Sequence, residues 1–223
     1  MRVKSSSSPG KTAARRRSVE SRARSIKAPK KAARKLGRER SETRAALLVA
    51  AEKLLRKEGH AAVTTRRLAS VAKLKPQLIH YYFRSMDDLF VALWHQIANR
   101  TLDVHFKALA SGHPLRAIWD SNRDARETTL TLEFMALARH RKALRRELAK
   151  DGERYRQRQV ELLSKDFTKR GELSPTVLAI LITSVSRMLV MESAVGLSHG
   201  HDEIFRFVEG WLGRLESSAL SAR

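Results

Sequence analysis

Three observations predict an all-α fold. From Ser41 onward, apolar residues recur at i, i+3, i+4 and i+7, the period of one helix face. Helix-starting residues (Ser41, the Thr64–Thr65 pair, Pro76, Ser85) stand before these runs, and a helix-stopping Gly59 follows the first of them. No stretch alternates polar and apolar residues as a half-buried strand would, and no segment repeats.

The elements follow in order. Ala46, Leu47, Ala50, Ala51, Leu54 and Leu55 form the buried stripe of a first helix, with Ser41 as its N-cap, Glu42 in its first turn and Gly59 as its stop. Thr64 and Thr65 open a second helix, Arg66 to Ala72, which buries Leu68, Ala69 and Ala72. After a break at Lys73–Lys75, Pro76 stands at a first helical position, where its missing N–H costs nothing, and Leu78, Ile79, Tyr82 and Phe83 continue the pattern. Two short helices joined by a tight turn, after a longer helix, make a helix-turn-helix. Ser85 caps the next helix, with Asp87 and Asp88 in its first turn and Leu89, Leu93 and Ile97 along its face. Further helices are predicted at 115–138, 142–170, 176–195 and 202–216, separated by breaks at Gly112–Pro114, Gly171–Pro175 and Gly196–Gly200.

Charge divides the chain more sharply than hydropathy does. The net charge is +22 over 223 residues. Residues 1–40 hold 15 basic and 2 acidic side chains, residues 41–90 hold 9 and 5, and residues 91–223 hold 21 and 16. The first segment is rich in Ser and Ala, lacks aromatics and is predicted to be a disordered basic arm. Three domains are therefore expected: the arm at 1–40, a helix-turn-helix domain at 41–90 and a larger helical domain at 91–223. An excess of this size attracts nucleic-acid phosphate or an anionic membrane. The arm reads as an electrostatic nucleic-acid contact, as a solvated tail, or as an artefact of a misassigned start. With no cysteine, disulfides, thiolate catalysis and cysteine-ligated metals are excluded. No export signal and no long uninterrupted apolar run is seen, so a cytoplasmic location is expected.

Thr64-Thr65-Arg66-Arg67-Leu68-Ala69, then Leu74-Lys75-Pro76-Gln77-Leu78-Ile79-His80-Tyr81-Tyr82-Phe83, then Ser85-Met86-Asp87-Asp88-Leu89-Phe90 resemble the TetR/AcrR family of transcriptional regulators. The resemblance implies an N-terminal three-helix DNA-binding domain followed by a larger helical domain for ligand binding and dimerisation. It implies DNA contacts from Thr65, Arg66, Arg67, Lys75, Pro76, Gln77, His80, Tyr81 and Tyr82, with the helix from Pro76 entering the major groove. Lys75 would reach a guanine edge or a phosphate and Gln77 an adenine. The residues themselves agree: Arg66 and Arg67 in the first turn of a helix oppose its dipole, and a bound phosphate would relieve the conflict. Three positions depart from the family pattern. Lys73 replaces a turn glycine, so a left-handed backbone there is expected to be strained. Lys75 replaces a capping Ser or Thr, and Met86 replaces a lysine that meets phosphate.

The resemblance also places a homodimer interface on the apolar helix, at Leu178, Leu181, Ile182, Val185 and Leu189. A pocket for an apolar or amphipathic small-molecule effector is expected among the middle helices, with Phe106, Trp119, Leu130, Phe134, Met135 and Tyr155 as candidate lining residues. Each of these aromatics has plain core packing as its alternative. Arg139-His140-Arg141-Lys142 and Arg145-Arg146 form a second basic run, read as a solvated face, an acidic-ligand contact or a DNA-backbone contact. No hydrolase elbow, phosphate-cradling glycine loop or zinc-protease motif occurs, so no enzyme, catalytic residue, metal or cofactor is expected. His199 and His201 flank Gly200 and read as loop residues. The function read from the sequence is a ligand-responsive, sequence-specific DNA-binding regulator acting as a repressor on a double-stranded operator. The alternative is an architectural DNA-binding protein that works through the basic arm with little sequence preference.

Overall fold

The structure is a computed structural model that describes residues 27–110, 112–167 and 173–220. Among these, nine α-helices and one 3-10 turn account for nearly all the chain, and no strand is present. The helices are α1 Lys27–Glu58, α2 Thr65–Ala72, α3 Pro76–Tyr82, α4 Met86–Leu109, α5 Pro114–Arg123, α6 Ala125–Ala138, α7 Lys142–Phe167, α8 Pro175–Ala194 and α9 His201–Leu220. The 3-10 turn is His60–Ala62. By its internal contacts the chain divides into Met1–Ala46 and Leu47–Arg223.

In the first unit, residues 1–26 of the expected arm lie outside the described residues. Residues 27–40 do not match the expectation of disorder, because they are the opening of α1, which starts well before Ser41. Ala, Lys, Arg, Leu and Glu are strong helix formers that need no buried face to favour the helix locally. Pro29 falls in the first turn, where proline is tolerated. An exposed Arg38–Glu42 pair at 2.8 Å, four residues apart, adds to that local preference.

The second unit holds two apolar cores. The first joins Leu47, Leu54 and Leu55 of α1 to Leu68, Ile79, Phe83, Leu89, Phe90 and Leu93, and extends to Leu130, Phe134 and Leu137 of α6 and Leu144 of α7. The second packs Leu115, Ile118 and Trp119 of α5 against Leu163 of α7, Leu178 and Ile182 of α8 and Val208 and Leu212 of α9. The expected boundary at residue 90 falls inside α4, which runs unbroken to Leu109 and contributes to both cores.

Local chemistry sets the helix ends. Thr64 Oγ1 accepts from the Arg67 N–H, Ser85 Oγ from Asp88 and Ser174 Oγ from Val177. Pro76 opens α3 behind an uncapped Lys75. The single helix expected over 115–138 is instead two, α5 and α6, because Asp124 turns its carboxylate onto the N–H groups of Arg126 and Glu127 at 2.9 and 3.3 Å. A short acid of this kind competes with the ladder for backbone donors and starts a new helix. The start of α5 is closed by Glu216 of α9, buried, which accepts from the Leu115 and Arg116 N–H groups at 3.0 and 3.1 Å.

α8 is long and apolar enough by length and composition to cross a membrane. One side of it (Leu178, Ala179, Ile182, Leu189) is buried in the second core, which accounts for that composition.

The turn between α2 and α3 holds Lys73 in the left-handed region, at φ 55° and ψ 40°. The conformation lets the N–H of Leu74 reach back to Ala69 O at 2.9 Å and closes the end of α2. A residue with a Cβ carries about 1–2 kcal/mol of strain there. Lys73→Gly is therefore expected to stabilise the fold by about 0.5–1 kcal/mol, after allowing for the greater freedom of glycine in the unfolded chain. Thermal unfolding checks this: the midpoint should rise by about 1–4 °C.

Candidate functional site

α2 and α3 present one polar face from a well-packed base. Leu68, Ala69, Ile79 and Phe83 are buried in the first core and Tyr82 packs partly against it. Arg66, Arg67, Lys75, Pro76, Gln77, His80 and Tyr81 are exposed. Tyr81 meets Tyr82 edge to face at 5.1 Å between ring centres, which props its ring outward. Thr65 is half-buried and donates its hydroxyl to Met86 Sδ at 3.7 Å. Methionine at this position thus pins the start of α2 to the start of α4. The conflict expected between Arg67 and the α2 dipole is met inside the protein. Glu58, the last residue of α1, accepts from the Arg67 guanidinium at 2.8 Å and supplies the negative charge that a capping acid would have placed there. The hydrogen bond from Arg67 holds the Glu58 carboxyl below its ordinary range. Arg66 extends from the same turn into solvent.

Polar clamps fix the three-helix unit onto α6 and α7. The His60 N–H donates to Glu133 Oε2 at 3.0 Å, and the His60 ring Nδ1 lies 2.6 Å from the same oxygen. Arg56 pairs with Glu127 at 2.8 Å and donates to the Arg126 carbonyl at 3.1 Å. Burial opposes ionisation of Glu52, but hydrogen bonds from Arg100 and Arg56 outweigh it and hold the carboxyl below its ordinary range. Arg141, from the turn before α7, pairs with Asp87 in the first turn of α4 and lies 4.9 Å from the centre of the Phe90 ring.

Between the two cores is a cavity of about 620 Å³, bounded by α4, α6, α7 and α8. Its walls are mainly apolar, including Trp94, Ile97, Leu102, Met135 and Leu148, with Tyr155 and Arg187 at the end nearer the second core. The six sequence-expected lining residues divide. Met135 and Tyr155 stand on the wall. Leu130 and Phe134 are sealed in the first core and Trp119 in the second, all essentially without solvent contact. Trp119 is held by a hydrogen bond from Nε1 to Glu209 at 3.1 Å. Phe106 is partly buried and reaches the cavity only through Tyr155, 5.9 Å away between ring centres. Large apolar side chains at helical spacing fill cores more often than cavities, and four of the six do so here.

Over residues 47–93 the chain matches the family model described as "Bacterial regulatory proteins, tetR family". This segment is a TetR-family DNA-binding domain. It carries the DNA-binding helix-turn-helix of these transcription regulators, in an all-α fold. Solved structures agree on the fold over most of the chain. A transcriptional regulator from Rhodococcus sp. Rha1 superposes with a TM-score of 0.62 at 15% identity, covering 80% of this chain and 96% of that one. A protein from Saccharomonospora viridis, described as a transcriptional regulator and solved in complex with choline, gives 0.64 at 15% identity, covering 81% and 95%. A TetR transcription regulator from Haloarcula marismortui gives 0.59 at 15% identity, covering 81% and 96%. No curated protein matches the chain significantly.

Beyond that domain, the five residues expected at a dimer interface do not share one surface. Leu178, Ile182 and Leu189 are buried in the second core and Val185 packs partly against it. Only Leu181 faces outward, at 43% exposure. The exposed side of α8 is instead the row Val177, Leu181, Ser184, Met188, Met191 and Val195, with Ile204 and Phe207 exposed on α9. A helix that is apolar all round gives no periodic signal for which side turns inward. His201 also departs from its loop reading: it is buried, opens α9 and lies 2.8 Å from Glu192. Sequence reasoning missed Glu127, Glu133, Arg187 and Glu58, whose partners lie on other elements and leave no local signature.

The division between core and cavity wall is testable. Phe134→Ala should cost about 3–5 kcal/mol, as for a sealed aromatic. Met135→Ala, next to it but half-exposed, should cost under about 1 kcal/mol. Denaturant unfolding of the two variants checks the contrast.

Proposed function

We propose that this chain is a cytoplasmic, homodimeric repressor that reads a double-stranded operator through α3 and is released from it by an apolar or amphipathic effector bound in the cavity. The observation that carries the reading is the polar face of α2 and α3. Lys75, Gln77, His80 and Tyr81 project from a helix whose opposite side is buried, so the base-reading groups stand on a rigid support. The first N–H groups of α2 lie outside the helix ladder and, with Arg66, suit a phosphate. Arg67 is shared between Glu58 and any phosphate that approaches.

The effector reading rests on where the cavity lies. It shares α6 and α7 with the core beneath the helix-turn-helix, and α6 carries the Glu127 and Glu133 clamps onto Arg56 and His60. A ligand that prefers one placement of α6 would shift the population of helix-turn-helix placements with it. The structure from Saccharomonospora viridis in complex with choline supports a small-molecule site in this fold. The dimer reading rests on the exposed row of α8. Its steps of four and three residues keep one apolar seam along the helix, the spacing that helices use to pack on a partner.

Footprinting with competitor DNA tests the operator reading, and a discrete palindromic footprint is expected. Uniform coverage that disappears at moderate salt would favour the architectural alternative. Within the footprint, Lys75→Ala and Gln77→Ala should each relax base preference by about 1–3 kcal/mol. Unchanged preference in both would overturn the assignment of α3. Met188→Glu places a charge in the exposed seam and should convert the dimer to a folded monomer, read by sedimentation. A persistent dimer would remove α8 from the interface.

A further inference from the structure

The cavity has a chemically distinct end. Arg187 of α8 is largely buried, with its Nε donating to Asn122 Oδ1 at 3.0 Å. Arg156 of α7 is half-buried, and its Nη1 is enclosed without a hydrogen-bond partner. Among the described residues neither guanidinium has a carboxylate at ion-pair distance; Glu153 acts on Arg156 only from further away, and the two arginines repel one another. Burial outweighs the interactions that favour their charge and pushes both below the ordinary arginine range.

Near them are further buried polar atoms without a hydrogen-bond partner of ordinary geometry: Tyr155 Oη on the cavity wall, and both amide atoms of Gln159 and Thr183 Oγ1 off it. Gln159 and Thr183 are almost wholly inaccessible to solvent. Tyr155 and Gln159 are one turn apart on α7, and the phenol lies near enough to the amide for a weak hydrogen bond that falls short of ordinary geometry. Thr183 is one turn before Arg187 on α8, so the two share a helix face. Native interiors leave few such atoms unpaired, and a cluster of them calls for a specific explanation.

What these groups have in common is the ability to donate. The two guanidiniums, the phenol, the amide nitrogen and the hydroxyl all offer N–H or O–H. Of these, Arg187 and Tyr155 line the cavity; the acceptor that fits them is an oxyanion, and a planar carboxylate matches the fork of an arginine. The remaining charges on the wall agree. Its one carboxylate, Asp151, is engaged by Trp94 Nε1 at 2.9 Å, while Arg139 and Arg145 add positive charge at exposed positions. His105, whose ring centre lies 5.5 Å from that of Tyr155, is held below its ordinary range by burial and by Arg187, and adds a neutral imidazole at neutral pH. Ile97, Ala98, Leu102 and Leu148 give the wall its apolar stretch.

From this arrangement we infer that the cavity binds an amphipathic carboxylate, its head group at Arg187 and Tyr155 and its apolar body along Ile97, Leu102 and Leu148. The inference deepens the effector reading and rests on it for its biological meaning, while binding itself can be measured without DNA. A cation such as the choline in the Saccharomonospora viridis structure would meet like charge at this end.

The test uses the full chain and linear saturated carboxylates from hexanoate to tetradecanoate, each paired with the alcohol and the trimethylammonium of the same length. Calorimetry should show saturable, one-per-chain binding of at least one carboxylate, tighter than its alcohol and its ammonium by about tenfold or more. Tyr155→Phe should weaken carboxylate binding and leave alcohol binding unchanged. Arg187→Gln should abolish the preference for carboxylate, and its thermal midpoint without ligand should be equal or higher, because an uncompensated buried charge is gone. If Arg187→Gln unfolds the chain, Arg187→Lys retains the charge and should keep the preference. Equal or tighter binding of the alcohol or ammonium, no binding of any carboxylate, or an unchanged preference in Arg187→Gln would overturn the inference. Release of operator DNA is measured separately. DNA released by the ammonium alone would uphold regulation and overturn the carboxylate. Carboxylate binding with no effect on DNA would do the reverse.

Discussion

The packing of α6 against the helix-turn-helix is the contact on which the rest of this structure depends. Leu130, Phe134 and Leu137 fill the same apolar core as Leu47, Leu54, Leu55 and Leu93, so the base of the DNA-reading unit is completed by a helix from beyond it. A three-helix unit of this length would bury little on its own, and small cores are marginal. Sharing a core raises the stability of the unit and also removes its independence. Any force on α6 is felt where the reading helices are anchored, because close-packed interiors shift as blocks rather than yielding locally. The polar contacts from Arg56 and His60 to Glu127 and Glu133 lie at the edge of this contact and specify its register.

The cavity gains its meaning from this arrangement. It lies between the shared core and the second core, with apolar walls and one polar end. Its volume is in the range that small-molecule sites usually occupy. The buried arginines at that end are costly to the empty protein, and such cost is usually kept where it serves binding. The core aromatics Trp119 and Phe134 are sealed on either side of the cavity, while Tyr155 and Arg187 put polar groups on its wall.

Much of this could be read from the sequence where the signal was local. Thr64, Ser85, Gly59 and Pro76 mark helix ends through their own backbone chemistry, and all four stand at helix ends. The left-handed Lys73 was legible because the turn requires that conformation whichever residue occupies it. Non-local chemistry was not legible. Arg67 looked like an unrelieved charge because Glu58 stands on another helix. Glu133 reaches His60 across 73 positions of sequence. Asp124 lay within an otherwise helical pattern, and nothing in the periodicity shows that its carboxylate turns back onto the chain. The apolar α8 hid which of its sides is buried, and Arg187 read as one polar residue among many. The helical propensity of residues 27–40 was outweighed by a composition argument that considers burial alone.

The Asp124 joint has a further consequence. α5 belongs to the second core and α6 to the first, and a single residue separates them. One residue of chain spans only about 3.5 Å at full extension, so the connection has no slack. The joint is also tied across: the Thr128 hydroxyl donates to the Asn122 carbonyl at 2.8 Å inside the protein. With so short a tether, the facing ends of α5 and α6 cannot separate. Asp124 is therefore a fixed corner between the two cores, which the unbroken α4 and α7 also span.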